Sequence, residues 1–206
     1  DSAIMDRTVV AALARGVRLG AHPSHMDARG FGRRGSQAAP DEIENDVLYQ
    51  AGALRAFVES HGGRLWHVKP HGALYNQAAR DPRLARAIAR AVRRLGGGVR
   101  LVGLATSEAF REAAALEGVA FAGEAFVDRA YEADGSLAKR GTAGAVFDSP
   151  QAAAAQAVSI AVSGKVATRE GGSVAVKADT LCLHGDNAQA VEIARAVRAA
   201  LDGAGV

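Results

Sequence analysis

A parallel α/β fold closed as a (β/α) barrel is the fold class that three features of this sequence predict. Strand, polar loop and helix recur every few tens of residues, the pattern of parallel strands joined by crossover helices. The strands are mostly continuous apolar runs, as strands buried on both faces are. Polar residues fall at or just past the C-terminal ends of four strands: His22, Lys69 with His71, Glu124 with Asp128, and His184 with Asp186. A closed barrel brings such ends onto one rim, whereas an open sheet concentrates function at one crevice, so the distribution favours the barrel. At 206 residues, the chain is read as a single domain over residues 1–206.

Taken in order, Ser2 can cap a helix through Met5, Val9, Ala12 and Leu13, closed by Gly16. Residues 17–22 form a short strand stopped by Pro23, and a polar loop with three glycines and three arginines fills 24–35. A long helix covers about 40–60, with proline and acidic residues in its first turn and Ile43, Val47, Leu48, Ala51, Leu54 and Val58 on one stripe. Residues 64–68 are the next strand; 82–95 a helix ended by Gly96, Gly97 and Gly98; 99–104 a strand; 107–116 a helix; and 119–124 a strand. Residues 144–147 read as extended, Ser149 caps a helix over 150–162, and Gly171 and Gly172 turn a hairpin between Val166 and Val176. Residues 180–184 are the last strand and 187–201 the last helix.

Composition excludes several classes. Hydrophobic residues make up 49% and charged residues 23%, an ordinary globular balance without a disorder signature. Net charge is only +3, and the arginines are scattered over helices with acidic neighbours, which argues against a nucleic-acid face. No apolar run is long enough to span a membrane. The lone Cys182 excludes an intrachain disulfide and fits a reducing compartment, so cytoplasm is expected.

The densest polar stretch runs from Trp66 to Tyr75. Pro70 lacks the N–H that a central ladder needs and biases Lys69 to extended geometry, so the chain leaves the sheet at Lys69. Lys69 and His71 then stand at a strand exit beside Gly72, which permits close backbone approach. Arg33 and Arg34 offer guanidinium forks suited to carboxylate or phosphate. Glu124, Asp128 and Arg129 read either as an ion-pair network or as groups that orient Tyr131 and a ligand amine, and the segment 131–141 as a lid or a plain loop. Asp186 can cap the last helix or act in chemistry.

Four segments in order carry a resemblance: Gly20 to Ser24 with Gly30 to Arg34, Val68 to Asn76, Phe126 to Tyr131 with Asp134 and Gly135, and Leu183 to Asn187. They resemble the motifs of the LamB/YcsF family, whose characterised bacterial members are 5-oxoprolinase A subunits. The resemblance implies a seven-stranded barrel variant similar to glycoside hydrolase and deacetylase barrels. It also implies ATP-dependent opening of 5-oxo-L-proline to L-glutamate, with B and C subunits as partners. The family pattern begins with a strand followed by Asn-Ala-Asp-Leu-Gly-Glu and a second strand ending in Cys-Gly-x-His-Ala-Gly-Asp; only the final Asp has a counterpart, Asp1. Five main strands are therefore expected instead of seven, too few to close that barrel, as in a fragment or a degenerate paralogue. His25 and Met26 replace an aromatic and a proline common in the family.

A lactam amide is unreactive, and ATP can activate it by phosphorylating the carbonyl oxygen. Lys69 is then expected to stabilise charge at that oxygen or phosphate, with His71 or Asp186 as general base. His22, Arg33, Arg34, Glu124, Asp128, Arg129, Tyr131 and His184 are the expected substrate-binding residues. No Gly-x-x-x-x-Gly-Lys-Ser/Thr occurs, so this chain is expected to open the ring while partners handle phosphoryl transfer. Two alternatives stand beside this reading: a metal-dependent deacetylase with His22 and His71 as ligands, needing a third, and a non-catalytic binding subunit.

Overall fold

Helix α1 (Ser2–Leu13) starts on Asp1, whose carboxylate accepts the Ile4 N–H at 2.9 Å, so the cap lies one residue before Ser2. The structure, a computed structural model, describes residues 1–206 and divides into two compact units: residues 1–103 with 108–121, and residues 104–107 with 122–206.

In the first unit, strands β1 (Leu19–Ala21), β2 (Leu65–Val68) and β3 (Arg100–Leu104) pair in parallel, with Ala21 opposite Val68 and Val68 opposite Leu101. Helix α2 (Pro40–Ser60) crosses between β1 and β2; Glu42 reaches back to accept the Ala39 N–H at 2.8 Å. Its stripe buries Ile43, Val47, Ala51 and Val58, in a core with Leu65, Val68, Ile88, Leu101 and Phe110. Helix α3 (Gly72–Ala78) follows β2, in a stretch for which the sequence predicted no helix. Helices α4 (Pro82–Leu95) and α5 (Glu108–Leu116) complete the unit.

The arginines of α4 are matched locally. Arg86 and Arg93 reach the buried Glu117 at 2.7 and 2.6 Å, while Arg90 and Arg94 share Glu44, so they form no free basic face. On β2, Trp66 has two guanidiniums against its ring, Arg18 at 4.6 Å and Arg64 at 5.0 Å from its centre. Opposite Gly20 stands His67, whose ring occupies the space a Cβ there would need, 2.1 Å away. Burial, then the charges of Lys69 and Arg100, push the His67 imidazole below its ordinary value.

In the second unit, β4 (Phe121–Phe126) pairs in parallel with β7 (Thr180–Cys182), and α6 (Pro150–Val158) packs with α7 (Ala190–Gly203) around Val127, Ala153, Ala157, Ile193 and Leu201. The Ser149 hydroxyl caps α6 as expected, but the helix turns π-helical over Ser159–Ser163. Strands β5 (Lys165–Ala167) and β6 (Ser173–Ala175) form the antiparallel hairpin around the Gly171–Gly172 turn. Around residue 146 there is only an isolated bridge, Val146 with Arg129, in place of a strand. Cys182 is buried, as an inert core residue should be.

Candidate functional site

Two clusters contain the polar residues singled out in the sequence, one in each unit. In the first, backbone bonds zip three segments together where β1 and β2 end. Lys69 N–H donates to the Ala21 carbonyl at 2.9 Å, His71 N–H to Pro23 at 2.8 Å, and Ala73 N–H to Gly32 at 2.9 Å. Gly72 is required here: its φ is +60°, and a Cβ on it would lie 2.5 Å from the Gly32 carbonyl oxygen. The approach brings His22 and His71 into contact, with His71 Nδ1 at 3.1 Å from His22 Nε2 and the rings edge to face.

Proton accounting follows from the outer nitrogens. His22 Nδ1 donates to the Lys69 carbonyl at 2.7 Å and His71 Nε2 donates to the Phe31 carbonyl at 2.8 Å, because a carbonyl only accepts. Two unprotonated nitrogens would otherwise face each other, so the inner hydrogen bond needs one further proton shared between the rings. All four ring nitrogens are thereby engaged. In this arrangement each His71 ring nitrogen has a neighbour, Nε2 the Phe31 carbonyl and Nδ1 the His22 ring. As metal ligands the pair would supply two imidazoles; no group of three or more His, Cys, Asp or Glu side chains is placed to hold a metal ion. A cleft of about 220 Å³ lies beside the pair, lined by His22, Ser24, Asp27, Phe31, Gly32 and His71.

The two loop arginines divide. Arg34 is tied to Asp27, with Nε 3.1 and 3.0 Å from the two carboxylate oxygens and Nη2 bonded as well, so its fork is occupied by the protein rather than offered to a substrate. The Arg34 hydrogen bond lowers the Asp27 carboxyl to about 2. Arg33 lies over the exposed Phe31 ring at 5.5 Å.

The second cluster is built on the chain leaving β4. Asp128 is fully buried, and its carboxylate accepts both the backbone N–H of His184, at 3.1 Å, and the His184 Nδ1–H, at 2.9 and 3.0 Å to its two oxygens. Burial alone would raise this carboxyl; the hydrogen bonds and charge of His184 outweigh it and hold the group below the ordinary carboxylate value. Phe126 stacks on the His184 ring at 5.5 Å. The segment carrying Asp128 is clamped from α6 by Gln156, whose side-chain amide donates to the Phe126 and Arg129 carbonyls, both at 2.8 Å.

The structure places several of the expected ligand-binding residues inside the scaffold. Tyr131 is fully buried and its hydroxyl accepts the Phe126 N–H at 2.8 Å; burial pushes its ionisation up. Arg129 donates to the Ala145 and Ala138 carbonyls, pinning the following loop where the sequence allowed a lid, and burial lowers it to about 10. Asp128 pairs with His184 and is not open to substrate. Glu124 is buried within β4. Asp186 is exposed and does not cap α7, which begins later than expected, with Gln189 at its cap.

Residues that sequence reasoning passed over include Phe31, Asp27 and Gln156. Phe31 is the one non-glycine residue with positive φ, 54°. Its signal was the run of glycines around it; that of Gln156 was a lone amide in an alanine-rich helix.

With this geometry in place, the family model described as the LamB/YcsF family matches residues 1–206. The chain belongs to the LamB/YcsF family. Among LamB/YcsF relatives, the chain is 50% identical over all 206 residues to the 5-oxoprolinase A subunit of Heliobacterium modesticaldum, covering 81% of that protein. It is also 50% identical over 206 residues to the 5-oxoprolinase A subunit of Methylococcus capsulatus, covering 79% of it. The fold is similar to the crystal structure of a lactam utilization protein from Thermus thermophilus, with a TM-score of 0.91 and 47% identity over 100% of this chain and 82% of that one. The four segments that carried the resemblance all lie within the matched residues.

Proposed function

We propose that this chain works as a 5-oxoprolinase A subunit, opening 5-oxo-L-proline to L-glutamate at the expense of ATP together with B and C subunits. The observation that carries the reading is the 50% identity, across the whole chain, to proteins named as the A subunits of 5-oxoprolinase. On this reading the complete fold is the seven-stranded barrel variant, and the protein acts in the cytoplasm.

Phosphorylating the lactam carbonyl oxygen makes the carbon electrophilic. Lys69, whose backbone is fixed at the exit of β2, supplies positive charge toward that oxygen or its phosphate.

The test is Lys69→Ala in the full-length protein, assayed with its two partners for glutamate release from 5-oxoproline and ATP. Loss of a preorganised charge of this kind costs about a hundredfold or more in rate, with melting unchanged. Lys69→Arg should recover little, since the guanidinium is planar and longer. A Lys69→Ala complex releasing glutamate at the normal rate would remove Lys69 from the chemistry, and an unmodified complex that releases none would overturn the function itself.

A further inference from the structure

We propose that His184 is the general base of the ring-opening step, held in its reactive tautomer by Asp128 as a positioning residue. The proposal rests on the 5-oxoprolinase reading above and assigns the proton transfer within it.

Nitrogen inventory separates His184 from the other strand-end histidines. His184 spends Nδ1–H on the buried Asp128 carboxylate, and its backbone N–H goes to the same group. These two bonds fix where the ring points and which nitrogen carries the proton. Nε2 is left with its lone pair and no hydrogen-bond partner within the protein, on a side chain that is 23% exposed. The histidines of the first unit differ: every nitrogen of His22 and His71 is engaged. A base must present an unprotonated nitrogen to the proton it takes, and a carboxylate behind the opposite nitrogen stabilises the imidazolium that forms.

The support behind Asp128 is built for rigidity. Gln156 holds the carbonyls on either side of it, Phe126 stacks on the imidazole, and the Tyr131 hydroxyl braces the backbone of Phe126. A surface histidine with only a structural role would not need a fully buried carboxylate on a backbone segment clamped by Gln156 and Tyr131.

In the hydration step, water adds to the carbonyl carbon of the O-phosphorylated lactam; one water proton goes to His184 Nε2, and the C=N π pair moves to the ring nitrogen, which takes that proton from the imidazolium. His184 then removes the proton of the new hydroxyl, the C–O bond becomes a carbonyl, and the C–N bond breaks with its electron pair on nitrogen, which receives the same proton. The acyl phosphate that results is hydrolysed by a second water to carboxylate and phosphate.

The experiment uses the full-length protein with its two partners. His184→Asn keeps a donor toward Asp128 but deletes Nε2; turnover should fall about a hundredfold or more with melting and KM little changed. His184→Ala should be inactive and partly rescued by added imidazole, with rescue increasing with imidazole concentration. Asp128→Asn should lose activity while, in ¹⁵N spectra of His184 recorded where the ring is neutral, the proton moves from Nδ1 toward Nε2. Normal turnover by His184→Asn, or inactive His184→Ala with no imidazole response and an unchanged tautomer in Asp128→Asn, would overturn the assignment. An unmodified complex without 5-oxoproline-dependent glutamate release would instead fail the functional reading, and the two failures are separate.

Discussion

The histidine pair in the first unit and the aspartate–histidine pair in the second use the same side chain for opposite ends. His22 and His71 direct their outer nitrogens to the carbonyls of Lys69 and Phe31 and their inner nitrogens to each other, so the exits of β1 and β2 and the loop at Phe31 are bolted into one piece. His184 is bolted at one nitrogen only, and the burial of Asp128 ensures that it is always the same one. What separates a structural imidazole from a reactive one here is therefore the number of nitrogens the protein has claimed, rather than position at a strand end. Both pairs occupy strand ends.

This contrast predicts that damage to the first pair appears in stability and damage to the second in turnover. The largest stability effect should come from Gly72→Ala, which places a Cβ 2.5 Å from the Gly32 oxygen at a positive φ. A loss of about 1–3 kcal/mol is expected from such strain, read by denaturant unfolding; an unchanged midpoint would mean that the zipped segments are loose. His71→Ala comes next. It leaves the Phe31 carbonyl and the His22 nitrogen without their partner, at about 1 kcal/mol, and should speed proteolysis within residues 24–35. If His71→Ala melts normally yet abolishes turnover, the division of labour is reversed.

Acid titration sharpens the second half of the comparison. The Asp128 carboxyl is depressed in the folded state, so between its folded and unfolded values the unfolded chain binds more protons, and stability rises with pH. Its contribution is complete above the unfolded value and is lost as pH falls through the folded one. Asp128→Asn should therefore flatten the acid limb of a stability–pH curve, and an unaltered limb would mean that the carboxylate is not charged beneath His184. The smallest effect belongs to Arg34→Ala. The Asp27 carboxyl, at about 2 with Arg34 in place, should rise toward its ordinary value near 3.8, observable by NMR titration, with little change in unfolding midpoint because the pair is exposed.

Much of the fold was legible because its determinants are local. The proline-started helices α2 and α4 have the predicted bounds, the glycine-turned hairpin forms between the valines that flank it, and Ser149 caps α6. Helix α3 was missed because His71-Gly72 looks like a turn, and only the approach of Gly32 shows why glycine is needed there. The candidate site was legible in residue type but not in partnership. Strand-end placement identified His22, His71, Asp128 and His184. No spacing rule could reveal that a carbonyl 40 residues away takes the His71 proton, or that Tyr131 and Arg129 turn inward to hold backbone.

The two guanidiniums against the Trp66 ring provide an optical handle on this architecture. It is the chain's single tryptophan, so its emission comes from one place on β2, three residues before Lys69. Arg18 precedes β1 and Arg64 precedes β2, so parting of those strands would strip one cation from the indole and change its quenching. Stopped-flow fluorescence of the unlabelled protein should thus time the opening of the β1–β2 seam, and the addition of 5-oxoproline, nucleotide or partner subunits one at a time would show which of them the seam responds to.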